Sequence, residues 1–408
     1  MFGARLAVDP GRTAALLVFV AGGIGLGIAS GLVPGLHANT MALLLGAVAP
    51  ALPGPPVLVG ATMLAAGVVH TFLDAVPALA LGVPDPAMAA SALPGHRLVI
   101  EGRGREALRL SALGSGLAVV FAVPLAVPVT RVMVAVYPVV EAHLPVVLGA
   151  VAALLVVTEP SLAATAGAAL ATAASGVLGL ATLDLSVSGP LGGSVLMPLF
   201  AGLFGVPVLL DALAGGGVPP QDDPAVSTPP RTVALLGFVG SLCGAAVGYL
   251  PGVSSAVAAA LALLATPGSH GARGFLVTTS GVNTANTVFA LFALVALGSP
   301  RTGVLVALEG AGVPVELSVL LPAVGFAAVA GFLLVPRLGD AYLQFAAEVS
   351  YARLSVAVLG LLVVLAYLLA GPTGVALLAA AAVVGHVPVV FEARRANLMG
   401  VLVWPLAL

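Results

Sequence analysis

Two side chains that could bind a cation or a proton stand four residues apart inside an apolar segment. They are His70 and Asp74, and helical spacing would place both on one face. Ionisable groups within a membrane segment are costly, so they mark candidate ion or substrate sites. The pair therefore predicts a coupling-ion or proton site. A structural ion pair that only holds two helices together fits the same spacing, and the sequence leaves both interpretations open.

A second polar stretch, residues 278–287, carries hydroxyl or amide groups on seven of its ten residues and has no charge. Oxygen atoms of this kind bind hard cations such as Na⁺. We expect the stretch to act together with His70 and Asp74. The residues predicted to contribute are Thr279, Asn283, Asn286 and Thr287. The alternative role is hydrogen bonding between helices, at roughly 1 kcal/mol for each bond.

A Pro-Gly pair interrupts a long apolar segment twice, at residues 34–35 and again at residues 251–252. Proline removes a backbone donor and glycine frees the backbone, so a helix breaks at each pair. Paired breaks indicate a binding site at the membrane midplane, where a restarting helix presents unpaired N–H groups to an anion. The polar side chains that follow can also simply cap the restarted helices. The predicted substrate-binding residues are Pro34, Gly35, His37, Asn39, Thr40, Pro251, Gly252, Ser254 and Ser255.

The second half of the chain repeats the glycine and proline spacing of the first half. An offset of 217 residues relates Gly23, Gly27, Gly31, Pro34, Gly35 and Pro50 to Gly240, Gly244, Gly248, Pro251, Gly252 and Pro267. Ordered matches of this kind predict a duplication, with a first repeat at 1–210, a linker at 211–230 and a second repeat at 231–408. By analogy with other proteins that contain broken helices, we expect the two repeats to be inverted in the membrane.

The composition identifies the class of protein that must position these groups. Hydrophobic residues make up 60% of the 408 residues and charged residues only 7%, and the mean hydropathy is +1.19. We predict an all-α, multi-pass protein of the cell membrane, surrounded by the lipid bilayer, with about 10–12 transmembrane segments. Four arginines between residues 97 and 109 place that stretch on the cytoplasmic side.

Several classes of function are disfavoured by the same inventory. A net charge of −2 provides no basic surface for nucleic acid. Paired carboxylates, metal-spaced His and Cys residues and phosphate-binding loops do not occur, so we do not expect an enzyme. We expect no cofactor and no metal, apart from Na⁺ as a coupling ion.

Four stretches carry a resemblance to a known family. They are Gly31-Leu32-Val33-Pro34-Gly35, Gly248-Tyr249-Leu250-Pro251-Gly252, Gly202-Leu203-Phe204-Gly205, and the run Arg-Arg-Ala-Asn-Leu-Met-Gly at 394–400. Over essentially its whole length the chain resembles the large membrane (permease) subunit of tripartite tricarboxylate transporters, most closely the archaeal branch. The resemblance implies a small carboxylate such as citrate as substrate, and a small membrane subunit and an extracytoplasmic solute receptor as partners.

The sequence therefore supports two hypotheses. The first is a secondary-active permease for small organic anions, coupled to Na⁺ or H⁺. The alternative is a channel-like or accessory membrane protein without a coupled transport cycle. Accumulation of substrate in response to an imposed ion gradient distinguishes the two, because a passive channel accumulates nothing.

Overall fold

The computed structural model describes residues 9–34, 41–42, 45–46, 49, 52–82, 89–190, 195–213, 218–222, 225–249, 255, 258 and 271–408. The all-α prediction is confirmed over this part of the chain. The helices are α1 (Pro10–Gly31), α2 (Pro56–Leu73), α3 (Ala75–Leu81), α4 (Ala89–Ile100), α5 (Gly104–Ala142), α6 (Leu144–Val157), α7 (Leu162–Thr182), α8 (Leu196–Phe200), α9 (Val206–Ala212), α10 (Pro230–Tyr249), α11 (Gly271–Leu297), α12 (Gly303–Gly310), α13 (Leu317–Glu348), α14 (Tyr351–Gly385), α15 (Val387–Val390) and α16 (Gly400–Ala407). A π-helical turn, Ala201–Gly205, joins α8 to α9, and a 3₁₀ turn, Arg395–Met399, precedes α16.

Eight helices within the described residues are long and apolar enough to cross a membrane, so the chain is a multi-pass membrane protein. This number is below the ten to twelve segments predicted from the sequence. The difference arises partly because the apolar helices Leu144–Val157 and Leu196–Asp211 are shorter than a full span. Both predicted Pro-Gly breaks also lie largely outside the described residues, with only Pro34 inside them.

Buried apolar side chains form two main clusters. The larger cluster is centred on α2, α5, α11 and α13. The smaller cluster joins α7, the segment from α8 to α9, the second arm of α14 and the segment that ends in α16. We call the helices around these two clusters the large bundle and the small bundle. The candidate ion site lies in the large bundle.

In the large bundle, α1 packs against α2 in the same way as α10 packs against α11. A Cβ added at Gly27 would lie 2.7 Å from the carbonyl oxygen of Ala66, and one at Gly244 would lie 3.0 Å from that of Val282. Glycine at these positions lets the helix backbones approach closely. All three glycines of each helix lie against a backbone carbonyl oxygen of the facing helix. Their partners are Thr62, Ala66 and His70 in α2, and Thr278, Val282 and Asn286 in α11.

These contacts support the predicted repeat. The glycines of α1 and α10 are offset by 217 residues, and their contact partners in α2 and α11 are offset by a constant 216 residues. Equivalence of the two halves stays a prediction beyond this packing. The same register places Asn286 at the position in α11 that His70 holds in α2.

In the small bundle, the two halves exchange their last segments. A Cβ added at Gly202 would lie 2.5 Å from the carbonyl oxygen of Leu378, so the segment that ends the first half packs on α14. Conversely, a Cβ at Gly400 would collide with the carbonyl oxygen of Thr172, so the segment that ends the second half packs on α7. Residues from both halves therefore form the core of the small bundle.

The helix α14 is a hairpin of two arms rather than one straight span. Gly371 has φ +61° and ψ −154° and is followed by proline, so the helix is broken between the arms. Gly374 lies so close to Ala366 that a Cβ on it would collide with the carbonyl oxygen of Ala366. The two residues are eight apart, so the chain must fold back on itself between them.

Candidate functional site

Asp74 lies at the junction between α2 and α3, where the helix is interrupted. The cause is Pro77, which has no N–H to donate to the carbonyl of Leu73 and disrupts the turn before it. The Asp74 side chain is buried, with 4% of the residue exposed. Its Oδ2 accepts a hydrogen bond of 2.8 Å from Nδ2 of Asn283 in α11. A carboxylate of the first half therefore meets an amide of the second half.

His70 is fully buried one turn before Asp74, and its Nδ1 lies 3.0 Å from Oγ of Ser30 in α1. Ser30 in turn donates to the carbonyl oxygen of Gly27 in its own helix. The two residues predicted as a pair thus connect α2 to two different helices, α1 through His70 and α11 through Asp74.

The polar stretch of α11 is divided between two neighbours. Asn283 and Thr284 face α2, where Thr71 Oγ1 lies 3.4 Å from Thr284 Oγ1. Ser280 faces α5, and its Oγ lies 2.9 Å from Oγ of Ser111. The predicted hydrogen bonding between helices is therefore present.

The remaining predicted residues of α11 have less direct roles. Thr279 is fully buried and donates to the carbonyl of Phe275 in its own helix, at 2.8 Å. Thr287 is buried. Asn286 is partly buried, and its Oδ1 is enclosed with no hydrogen-bond partner among the described residues. Asp74 and Asn283 thus form the centre of the candidate site.

The site offers oxygen ligands to a hard cation. Asp74 supplies a carboxylate, and Asn283 also approaches the carbonyl oxygen of Thr71, with 3.4 Å from its Nδ2. Within the described residues there is no group of three or more His, Cys, Asp or Glu side chains that could hold a metal ion. A cation at this position would therefore be bound by one carboxylate, amide and backbone oxygens, as suits Na⁺ rather than a transition metal.

Most of the predicted substrate-binding residues lie outside the described part of the chain. Pro34 is buried just after the end of α1, and Ser255 is a buried helical residue. The residues whose placement is not described are Gly35, His37, Asn39, Thr40, Pro251, Gly252 and Ser254. Their roles stay predictions.

Comparison with known proteins assigns the chain to a family. The family model described as the Tripartite tricarboxylate transporter TctA family matches residues 17–400. The chain belongs to this family. Among curated proteins, the Uncharacterized protein MJ1079 of Methanocaldococcus jannaschii is 27% identical over 348 residues, which are 83% of this chain and 84% of that protein. No solved structure matches the chain significantly.

This member of the TctA family has a second buried charged cluster, in the small bundle, which sequence reasoning missed. Glu159 follows α6 and looks like a residue of an interfacial turn, but its side chain is fully buried. Its Oε1 accepts bonds from Nε of Arg394 at 3.0 Å and from Nδ2 of Asn397 at 2.8 Å. The signal in the sequence was the run at 394–400, which supplies both partners.

Arg395 points away from this cluster and is held less completely. Its side chain is 6% exposed, and its ion pair, with Oδ2 of Asp211 at the end of α9, is 3.5 Å long. Burial lowers the pKa of Arg395, and the charge of Asp211 opposes that shift. Arginine nonetheless stays protonated at neutral pH, so a full positive charge is buried here.

Proposed function

We propose that the protein is a secondary-active permease for small organic anions of the tricarboxylate or carboxylate type, coupled to Na⁺ or H⁺. Membership of the TctA family supports the transport class. The observation that carries the proposal of coupling is the buried hydrogen bond between Asp74 and Asn283, which joins the two halves of the chain inside the large bundle.

The charge of Asp74 is the property that a bound ion would change. A carboxylate in an apolar interior is strongly disfavoured unless a proton or a cation neutralises it. Binding of H⁺ or Na⁺ to Asp74 changes what Oδ2 can accept, and so changes the contact between α2–α3 and α11. An ion that alters this contact can bias the arrangement of the two halves, as coupled transport requires.

The proposed substrate site is the pair of helix starts that follow Pro34 and Pro251. Each helix start carries unpaired N–H groups and about half a positive charge, which suits a carboxylate. Asp74 and the substrate would then occupy neighbouring positions in the large bundle, because α1 leads directly into the first break and packs on α2.

The proposed partners follow from the family. A tripartite transporter combines the large membrane subunit with further components, and we propose a small membrane subunit and an extracytoplasmic solute receptor for this chain. The lipid bilayer surrounds the protein.

The test is uptake of labelled citrate into proteoliposomes that contain the purified protein. An inward Na⁺ gradient or pH gradient is imposed, with equal ion concentrations on both sides as the reference. Accumulation above the equilibrium level under one of the two gradients supports the permease. Equilibration at the same rate with and without gradients supports the channel-like alternative.

A further inference from the structure

Arg395 combines a buried charge with incomplete hydrogen bonding. Its Nη1 is enclosed and has no hydrogen-bond partner among the described residues. Its ion pair at 3.5 Å is longer than the charge-assisted bonds that guanidinium groups usually form. The acceptor, Asp211, has a side chain that is itself 49% exposed, so solvent screens its attraction to the arginine.

Other arginines of the chain show what a satisfied guanidinium looks like here. Arg273 makes two bonds to Glu106, at 2.9 and 3.0 Å. Arg394 binds Glu159, the hydroxyl of Thr158 and the carbonyl of Leu155. Both side chains are about one-third exposed. Arg395 is far more buried than either and has fewer partners among the described residues, so its buried charge is less completely satisfied.

The surroundings of Arg395 place it where the two bundles meet. The turn Arg395–Met399 belongs to the small bundle and contacts α4 of the large bundle. On α9, one turn before Asp211, Val208 reaches the large bundle. A Cβ added at Gly82 would lie 3.3 Å from Cγ1 of Val208 and 3.1 Å from Cδ2 of His96. The path from this interface to Asp74 runs along the single short helix α3.

We propose that Arg395 binds a carboxylate group of the transported anion at the interface between the two bundles. The inference rests on the proposed function and extends it by naming the cation that recognises the substrate. A guanidinium and a carboxylate can form two parallel hydrogen bonds, so one carboxylate oxygen of the substrate would accept a hydrogen bond from Nη1. Asp211 then competes with the substrate for the same guanidinium.

The 394–397 turn is held in place independently of any ligand. Asn397 donates to Glu159 and to the carbonyl oxygen of Arg394, and Thr172 of α7 donates to the carbonyl of Asn397. These bonds fix the backbone next to Arg395, so the guanidinium is presented on a rigid support. A change of Arg395 alone therefore leaves the turn in place.

The experiment measures citrate uptake and citrate-dependent thermal stabilisation of the purified protein. Arg395→Gln removes the positive charge and the paired N–H donors of the guanidinium, so we expect KM and the citrate Kd to rise by about 10- to 100-fold. Arg395→Lys keeps the positive charge but lacks the paired N–H groups of the guanidinium, so its KM and citrate Kd should lie between those of the parent and those of Arg395→Gln. As the matched control, Arg337→Gln removes an exposed cation whose Nη1 donates to the carbonyl of Leu333 in its own helix, and KM should not change.

Asp211→Asn separates ligand binding from a structural ion pair. If Asp211 competes with the substrate, Asp211→Asn should lower KM several-fold. The double variant with Asp211→Asn and Arg395→Gln should behave like Arg395→Gln alone. If the pair is only structural, both single variants lose thermal stability and neither changes KM, which overturns the inference. Unaltered citrate affinity in Arg395→Gln with altered response to anionic lipid assigns the group to a lipid headgroup and also overturns it. Absence of citrate uptake and of citrate stabilisation in the parent protein refutes the proposed function instead.

Discussion

Asp74 owes its place in the core to the proline three residues later. Pro77 interrupts the helix between α2 and α3, and the interruption brings the carboxylate to the surface of α11, where Asn283 donates to it. The same interruption leaves backbone groups near Asp74 without their helical partners. A break of this kind is tolerated in a membrane only where protein or a bound species covers it.

Asp74→Asn should abolish gradient-driven uptake while protein levels stay near normal. Asparagine has almost the same shape, but it can neither take up a proton nor neutralise Na⁺ at neutral pH. The measurement is citrate uptake under the Na⁺ and pH gradients described above. Asp184→Asn makes the same chemical change at an exposed position and should transport like the parent. Unchanged ion dependence in Asp74→Asn would remove Asp74 from the mechanism.

The sequence indicated Asp74 and named Asn283 among the residues expected to act with it, but it could not show which of those polar residues contacts the carboxylate. An isolated carboxylate in an apolar segment is a local signal, whereas Asn283 lies 209 residues away in the chain. Glu159 shows the opposite case. Its neighbours Thr158 and Pro160 predict a turn, and turns at segment ends are usually exposed, so only the contact with the 394–397 turn reveals its burial. The role of Arg395 depends on the same long-range contacts.

At the scale of elements, close helix contacts depend on glycine. The pairs α1–α2 and α10–α11 approach at three glycines each, and carbonyl oxygens of the facing helix lie where a side chain would be. Association of membrane helices relies on such packing because lipid and protein interiors are similarly apolar. The contact pattern thus explains why glycine recurs with a spacing of four residues in both helices.

Gly27→Ala should destabilise the protein and Gly25→Ala should not, although both lie in α1. A Cβ at Gly27 would lie 2.7 Å from Ala66 O and from Val69 Cβ, whereas nothing lies within 4 Å of one at Gly25. Overpacking of this kind costs roughly 1–3 kcal/mol, while glycine to alanine in an open helical position gains up to about 1 kcal/mol. Thermal unfolding in detergent checks the difference.

The corresponding contact between α10 and α11, at Gly244, provides a second control. Gly244→Ala should resemble Gly27→Ala if α10–α11 repeats the packing of α1–α2. Equal stability of the Gly25 and Gly27 variants would show that these contacts do not determine helix packing.

Element boundaries were less predictable than element packing. The polar residues between 336 and 353 fit either a connector or a surface helix, and in the structure α13 continues as a helix to Glu348. Its polar residues are spaced at helical intervals: Gln344 donates to Asp340 one turn earlier, and Asp340 also accepts from Arg105 of α5 at 2.6 Å. A polar face that is completed by another helix looks like a loop in the sequence alone.

At the scale of the whole molecule, charged groups concentrate at the end where α5 and α11 begin. Glu106 binds Arg273 of the second half and Arg103 of its own half, and it accepts from Ser227 in the predicted linker. The three parts of the chain are therefore tied together at one face. Because α5 has 39 residues, it is about 58 Å long by helical rise, and its other end lies across the bilayer.

We predict that the end with these arginines faces the cytoplasm. In a Cys243→Ser background, Arg97→Cys should react with an impermeant thiol reagent only from the cytoplasmic side, and Glu141→Cys only from the opposite side. Both positions are exposed, and they flank opposite ends of α5. The physical reason is that arginine-rich short loops are retained in the cytoplasm during insertion. Reaction of Arg97→Cys from outside would reverse the assigned orientation.

The exchange of end segments in the small bundle has a consequence for how the protein is made. The stretch around Gly202 is synthesised well before the helix arm that carries Leu378, and the stretch around Gly400 is synthesised long after α7, on which it packs. The first half therefore cannot complete its core while it is being translated. The contact between α7 and Gly400 can therefore form only after more than 200 further residues have been synthesised.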